Sequence, residues 1–600
     1  MQKIINKIKL AQPTTISDFF TLYKEIKSEL PAADLVRRTK IAILASFTTR
    51  GFTETLFVKC CEIGVAPEIY VSNYNQYNQE ILNETSGLYQ FCPDLTIIFI
   101  DTRTLLGDLF FLSSHVPDED RRKWAKEQRD NLISLIARVK SHSTGKILFH
   151  NFEVPHYSPL GILENKQQFG FIESVEWINW ELRKKYKNDS QVFVFDFNAF
   201  SSNIGKSELL DYKMYYMGDL KIAFQHIPAL CEDYLAYIKP LASKLRKCIV
   251  LDLDNTLWGG VVGEEGLSGI KVGATQAGRS FLEFQKHLLS LFQRGVVLAI
   301  NSKNNLEDVQ KVFREHPDMV LREEHFAAIL ANWNDKASNL RAIAEELNIG
   351  LDSLVFFDDE KINRELVRSE LPEVLVVDLP DDPALFSKTL QAIHDFNIFQ
   401  LTEEDKEKGR LYADDRRRQD SQVKATDITA YLRSLEMEVE IEEMNNFNLP
   451  RLSQLTQKTN QFNMTTRRYT EEHLRRFHDG GDLILSIRVR DKFGDNGIIG
   501  AVIVKKKFDD WFIDTLLLSC RVIGRKIEDA LLSYLVRRAK ESGVKKIIGQ
   551  FIPTAKNAPA KDFYKNSGFR LVNNKGSIEN WVYQVSEENI APDFIKIIFK

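Results

Sequence analysis

Short apolar runs separated by stretches of helical spacing make up most of this 600-residue chain. Before about residue 240 the runs are KIAILAS, EIYVSN, LTIIFID, KILFHN and QVFVFDF. Runs of this length, bounded by polar residues, fit strands covered on both faces. Their alternation with helix-like segments predicts a parallel sheet. A second set begins at CIVLDLD and continues with VVLAINS, FAAILAN, SLVFFDD and VLVVDLP. After about residue 440 come LILSIRV, IIGAVIV and WFIDTLLLS, the first two joined by a turn containing GDNG. The helix EDALLSYLVRRAKESG and the strand VKKIIGQFI follow. The pattern predicts a multidomain α/β protein with divisions 1–240, 241–400, 401–440 and 441–600. The third division is a linker: LTEEDKEKGRLYADDRRRQDSQVK is dense in both charge signs and reads as a solvated helix between domains.

Composition narrows the class. At 44% hydrophobic and 27% charged residues it is ordinary for a soluble protein. A net charge of -4 gives no general pull toward nucleic acid or a membrane surface. No apolar run approaches the ~20 residues of a membrane span. The start, MQKIINKIKLAQPTTISDFF, lacks the apolar core of a secretion signal. The six cysteines are scattered without CxxC spacing, which argues against a zinc site or a disulfide framework and favours the cytoplasm.

The stretch VLDLDNTLWGG ends an apolar run with Asp252 and Asp254. Residues i and i+2 of a strand point to one side, and the carboxyl end of a parallel strand faces the ligand crevice. Two converging carboxylates repel, and a divalent cation relieves the repulsion. Magnesium takes oxygen ligands and keeps phosphate readily as another. Ser302 ends the next strand in AINSKNN, Lys336 precedes the helix ASNLRAIAEEL, and Asp358 and Asp359 end a later strand in VFFDDEKINRE. One crevice could gather them all. A carboxylate to attack phosphorus, a neighbour to move a proton, and a hydroxyl and an ammonium to hold phosphate oxygens fit phosphoryl transfer.

The order DxDNT, Ser, Lys, DD resembles the haloacid dehalogenase (HAD) phosphatases. The resemblance implies Asp252 as nucleophile and magnesium ligand. It implies Asp254 as general acid/base that also offers the metal its backbone carbonyl. Ser302 and Lys336 would bind phosphate, and Thr256, Asn301 and Lys303 become candidate substrate contacts. Asp359 would complete the metal site, although the sequence leaves open whether Asp358 or Asp359 touches the ion. Between Asp254 and Ser302 there is room for a glycine-rich hairpin (WGGVVGEEGLSG) and one helix, and between Ser302 and Lys336 for a helix and a strand. No large cap domain fits, so the site should be open.

In LLLSCRVIGRKIEDA a strand ends at Cys520, and Arg521, Gly524, Arg525 and Lys526 form a cationic turn that opens a helix. Helix starts of this kind bind phosphates. The segment resembles the N-acetyltransferase (GNAT) fold with RVIGRK as its pyrophosphate loop, although Lys526 stands where glycine or alanine is usual. Cys520 has two readings: a small buried hydrophobe, or a nucleophile whose thiolate is favoured by the cations and the helix start.

LDLDNTLWGGVVGEEGLSGI, LTQKTNQFNMTTRRYT, RVRDKFGDNGIIGAVIV and LSCRVIGR together resemble FkbH-like proteins over nearly the whole chain. That resemblance implies cooperation of HAD and GNAT-like parts on three-carbon acyl units. Glyceryl members take the acyl phosphate of 1,3-bisphosphoglycerate, hold the acyl group on a cysteine, remove the remaining phosphate and pass glycerate to a carrier-protein thiol. Cys520 matches that cysteine. Asn460, Gln461 and Asn463 are candidate polar contacts, or else they end a helix. The first sheet is similar to the SGNH-hydrolase-like domain of the family, with Ser46, His150 and Asn151 at strand ends. It lacks GDS and DxxH, which points to a degenerate, binding or structural domain. Two rival functions remain. One is a plain HAD phosphatase acting on a sugar phosphate or polysaccharide intermediate, with a non-catalytic GNAT-like domain. The other is a carrier-recruiting binding protein with a vestigial HAD site.

Overall fold

The computed structural model describes residues 1–30, 38–112, 116–407, 411, 418, 427–507, 509–554, 556–575, 578–585 and 591–599. The chain divides into two compact units, residues 1–244 and 245–600.

The first unit is built on strands β1 (Arg38–Ala45), β2 (Ala66–Val71), β3 (Leu95–Phe99), β4 (Lys146–His150) and β5 (Val192–Phe195). All pair in parallel in the order β2-β1-β3-β4-β5. The reason for continuous apolar runs is visible in β1. Ile41 and Ile43 enter the core on one face, and Ala42 and Leu44 enter the core on the other. Helices cover both faces, so every position is apolar rather than every second one. Each buried Ile or Leu contributes about 1.5–3 kcal/mol. The chain runs from β1 to β2 on one side and then crosses to β3 on the other, so the switch point lies between β1 and β3.

The second unit begins with the same plan. Strands β6 (Cys248–Leu251), β7 (Val297–Ser302), β8 (Phe326–Ala331), β9 (Leu354–Phe357) and β10 (Leu375–Val376) form a parallel sheet in the order β10-β9-β6-β7-β8. Here β6 is the central strand, and the switch point falls at its carboxyl end. Within the same unit lies a larger mixed sheet. Its strands are β11 (Met437–Glu443), β12 (Phe462–Asn463), β13 (Leu483–Asp491), β14 (Gly494–Lys507), β15 (Asp510–Leu518), β16 (Lys546–Phe551), β17 (Arg570–Lys575), β18 (Ile578–Gln584) and β19 (Ile595–Phe599). The order is β17-β18-β16-β15-β14-β13-β11-β19. β15 and β16 run parallel only from Asp510 to Ile513, and β12 pairs with the far end of β15. The amide of Ile552 donates to the carbonyl of Met464 at 2.9 Å, so residues 462–464 fill the gap that opens between β15 and β16.

Three expectations are corrected. GDNG does not make the β13–β14 turn; the reversal lies at Lys492 and Phe493, because Asp491 Oδ1 accepts from the amides of Phe493 at 2.9 Å and Gly494 at 3.2 Å. GDNG instead begins the returning strand, with Gly497 at φ +67°. The glycine-rich stretch after Asp254 is not a plain hairpin. One bridge joins Gly259 and Lys271, and Val262–Gly269 between them is helical on either side of a kink at Gly266. The charged linker is not simply solvated where it is described. Asp405, Leu411 and Arg418 are buried. Asp405 accepts from Thr402 Oγ1 at 2.9 Å and pairs with Lys458 at 3.3 Å, and Arg418 grips Asp491 at 2.8 and 3.0 Å. The rest of that segment lies outside the described residues.

Candidate active site

Asp252 follows β6 directly, and its amide donates to the Phe357 carbonyl at 2.9 Å, which ties it to the end of β9. Lys336 opens the helix Lys336–Glu346, whose cap is Asp335. Its side chain is 1% exposed and its Nζ lies 2.8 Å from Asp252 Oδ1 and 3.0 Å from Asp358 Oδ2. A third contact runs to the Asn301 carbonyl at 2.8 Å. Burial works against the ammonium, but Asp252 and Asp358 outweigh it and raise its pKa.

The aspartates at the end of β9 have different surroundings. Asp358 is fully buried. It accepts from Asn363 Nδ2 at 3.1 Å and from the Glu360 amide at 3.0 Å, besides meeting Lys336. Asp359 is partly open, and its Oδ1 accepts from Thr256 Oγ1 at 3.1 Å. Burial, then the charge of Asp252, pushes both Asp358 and Asp359 up to about 6. Oxygens of Asp252, Asp358 and Asp359 lie within 4.8 Å of one another. A compact set of hard oxygen donors suits magnesium, which takes oxygen ligands and keeps waters or phosphate as the rest.

Asp254 points elsewhere and is held by three donors. Trp258 Nε1 at 2.9 Å and the Val262 amide at 3.2 Å reach Oδ1, and Asn304 Nδ2 at 2.9 Å reaches Oδ2. Asn304 also donates to Ser302 Oγ at 3.1 Å, so one amide joins the two. Left-handed Asn255, at φ +53°, makes the tight turn between Asp254 and Thr256. Lys303 is exposed beside the crevice. Asn301 and Thr256 depart from their expected role as substrate contacts. Both are fully buried, Asn301 donating to the Lys336 carbonyl at 2.9 Å and accepting from Asn339 at 3.0 Å. They position Lys336 and Asp359. Trp258, Asn304, Asn339, Asn363 and Arg364 were not singled out from sequence. Asn304, two residues past Ser302 in SKNN, had the one usable signal: its spacing from the strand end.

Cys520 follows β15 and is half-buried. It packs against the aliphatic cluster around Leu340, Leu347 and Ile349, at the far end of the helix that Lys336 opens. Asn348 Nδ2 donates to the Cys520 carbonyl at 2.6 Å. Arg525 does not serve the thiol as expected; it pairs with buried Asp491 at 3.3 Å. Gly524, at φ +83°, and Lys526, at φ +64°, make the turn, and Lys526 pairs with Asp529. Arg521 Nη1 and Gln461 Oε1 are buried without a hydrogen-bond partner. Phe462 pairs with Leu518 in antiparallel register, which brings Gln461 opposite Ser519, next to Cys520. Asn463 and Asn460 are engaged within the fold. Asn463 is buried and accepts from the amides of Thr466 at 2.8 Å and Thr465 at 3.3 Å, and Asn460 accepts from Arg468.

In the first unit Ser46 meets Asp101 rather than a histidine, its hydroxyl donating at 2.8 Å. His150 is buried between Phe99 and Phe195, bonded to Tyr234 at 2.7 Å, and burial lowers its pKa. Asn151 Nδ2 donates to Asp196 at 2.8 Å.

The family model for the FkbH N-terminal domain matches residues 40–239. Among solved structures, the N-terminal part of a Bacteroides fragilis protein containing a phosphatase domain, complexed with Mg, matches at 30% identity. The match covers 64% of this chain and 99% of that one, with a TM-score of 0.58. The chain belongs to the FkbH-like family. Its second unit gathers Asp252, Asp358 and Asp359 at the ends of β6 and β9. The ribosomal-protein-S18-alanine N-acetyltransferase of Escherichia coli also matches, at 13% identity over 26% of this chain and 97% of that one, with a TM-score of 0.20. No curated protein matches the sequence. Among the described residues no helix is long and apolar enough to cross a membrane.

Proposed function

We propose that this FkbH-like protein hydrolyses phosphate monoesters at Asp252 and transfers a three-carbon acyl group through Cys520 to a carrier-protein thiol. The observation that carries the first half is the junction of Asp252, Asp358 and Asp359 around Lys336, with Asp254 oriented separately. Asp252 attacks phosphorus, the bond from phosphorus to the leaving oxygen breaks, and Asp254 gives that oxygen its proton. Water then attacks the aspartyl phosphate, Asp254 takes the proton, and inorganic phosphate leaves. Asp252, Asp359 and the Asp254 carbonyl would hold magnesium, the ion with which the Bacteroides fragilis relative is complexed, and bound magnesium would supply positive charge to the phosphate oxygens. Asp359 is the better direct ligand, because Asp358 is buried under Lys336 and Asn363. Lys336 and Ser302 hold the phosphate.

At Cys520 the thiolate attacks the carbonyl carbon of an acyl phosphate and expels phosphate, and the thioester then passes to the carrier thiol. Asn348 seats Cys520 at the amino-terminal edge of the β6–β10 sheet, whereas Asp252 is at the carboxyl edge. The helix between them spans about 16 Å. An acyl group on Cys520 therefore stays out of reach of Asp252 while the loop is seated. Phosphate removal precedes loading, or follows transfer to the long arm of a carrier. Intact mass of the protein with 1,3-bisphosphoglycerate, magnesium and a phosphopantetheinylated carrier tests this. Acyl adducts on protein and carrier support it, and an unloaded protein with an active phosphatase contradicts it. That second outcome fits a plain phosphatase acting on a sugar phosphate, a reading favoured by the packing of Cys520 against aliphatic side chains. The first unit, with Ser46 bonded to Asp101 and His150 to Tyr234, binds rather than hydrolyses.

A further inference from the structure

A cavity of about 320 Å³ lies in the first unit, walled by Phe99, Phe110, Phe197 and Tyr212. It sits beside the carboxyl ends of β3 and β4, next to the switch point between β1 and β3. Ligand crevices of open parallel sheets form there. Five charged groups face it: Asp101, Arg103, Glu153, Lys206 and Lys221. Two of them are matched within the fold. Asp101 accepts from Ser46 at 2.8 Å and from the Arg103 amide at 3.0 Å. Lys221 lies 3.5 Å from Asp101 and 2.9 Å from Asp219.

The other three are not matched. The Arg103 guanidinium lies over Phe110 at 4.5 Å and Tyr215 at 5.1 Å, with no carboxylate in ion-pair contact among the described residues. Lys206 donates to the Val154 carbonyl at 2.5 Å and to Asn198 Oδ1 at 2.9 Å, which leaves one of its three N–H groups. The Glu153 carboxylate makes no hydrogen bond among the described residues. All three are half-buried, and a partly desolvated charge gains from a partner. A guanidinium fixed on aromatic rings next to an ammonium is a preformed receptor for a planar or tetrahedral anion.

We propose that this cavity binds a small organic anion, a carboxylate or a phosphate monoester, through Arg103 and Lys206, with Glu153 receiving a ligand hydroxyl. Burial pushes Glu153 up to about 7, against the pull of Lys206 and Arg103, so near neutral pH the cavity keeps an excess of positive charge. The aromatic walls limit the ligand to a few carbon atoms beyond its anionic group.

Isothermal titration of the full-length protein in EDTA tests this with inorganic phosphate, glycerate, glycerol phosphate and, as the neutral control, glycerol. Either glycerate or glycerol phosphate is expected to bind, and glycerol is not; the tighter of the two anions names the class. Arg103→Gln and Lys206→Met are each expected to weaken that binding at least tenfold with aryl phosphatase activity unchanged. Either variant alone suffices if the other fails to fold. Equal affinity in a folded variant, or no binding of any anion, overturns the proposal.

Discussion

Replacing Lys336 with methionine keeps a long apolar stem and removes one charge. The consequence follows from the geometry: the ammonium is 1% exposed and lies 2.8 Å from Asp252 and 3.0 Å from Asp358. Without it, two buried carboxylates face each other uncompensated. Removing one partner of a buried ion pair costs about 3–5 kcal/mol. At about 2 °C per kcal/mol for a unit of this size, the melting temperature should fall by roughly 6–10 °C. The assay is thermal unfolding of both proteins in EDTA at about pH 8 and again at about pH 5. At the lower pH Asp358 and Asp359, raised to about 6, carry protons and the penalty should shrink. Saturating magnesium at the higher pH should restore part of the loss by mass action on the folded state. A Lys336→Met protein that melts with wild type in EDTA at about pH 8 would refute the electrostatic account of the site.

Metal-free wild type should show a related slope. Asp359 is raised to about 6, so between about pH 4 and 6 the folded state binds more protons than the unfolded state, and stability falls as pH rises through that window. Magnesium should flatten the slope, and an unchanged slope in magnesium would remove Asp359 from the metal site. Cys520→Ser should fold, keep aryl phosphatase activity and carry no acyl adduct; peptide mapping of an adduct to another cysteine would contradict this. Asn348→Ala removes the 2.6 Å bond to the Cys520 carbonyl, so stability should drop by about 1 kcal/mol and acyl loading should slow while aryl phosphate turnover stays constant. Equal slowing of both activities would mean that Asn348 supports the phosphatase site.

The parallel sheets were legible because both faces are buried, and continuous runs such as CIVL have few other uses. The phosphatase set was legible because its members stand at strand and helix ends, where topology gathers them. Strand β11 was missed: MEVEIEE alternates buried and half-buried positions, and its glutamates conceal the pattern. β18 was missed for a similar reason, since ENWVYQ mixes polar residues into the strand. Arg525 was misassigned because its partner, Asp491, lies 34 residues away and belongs to another strand. Asn301, beside Ser302 in the motif, read as a substrate contact because sequence gives no sign that its amide is held by Lys336 and Asn339. The seating of Cys520 on Asn348 was out of reach for the same reason: a contact across 172 residues leaves no local pattern.

The central claim is that Asp252 is the nucleophile of a phosphatase. Rapid acid quench of the protein turning over a labelled aryl phosphate in magnesium, followed by peptide mapping, tests it most directly. The account predicts one hydroxylamine-labile phosphoryl group on Asp252, absent in Asp252→Asn, which should lose turnover by several orders of magnitude. Label on another residue, or an Asp252→Asn protein that turns over at the wild-type rate, would contradict it.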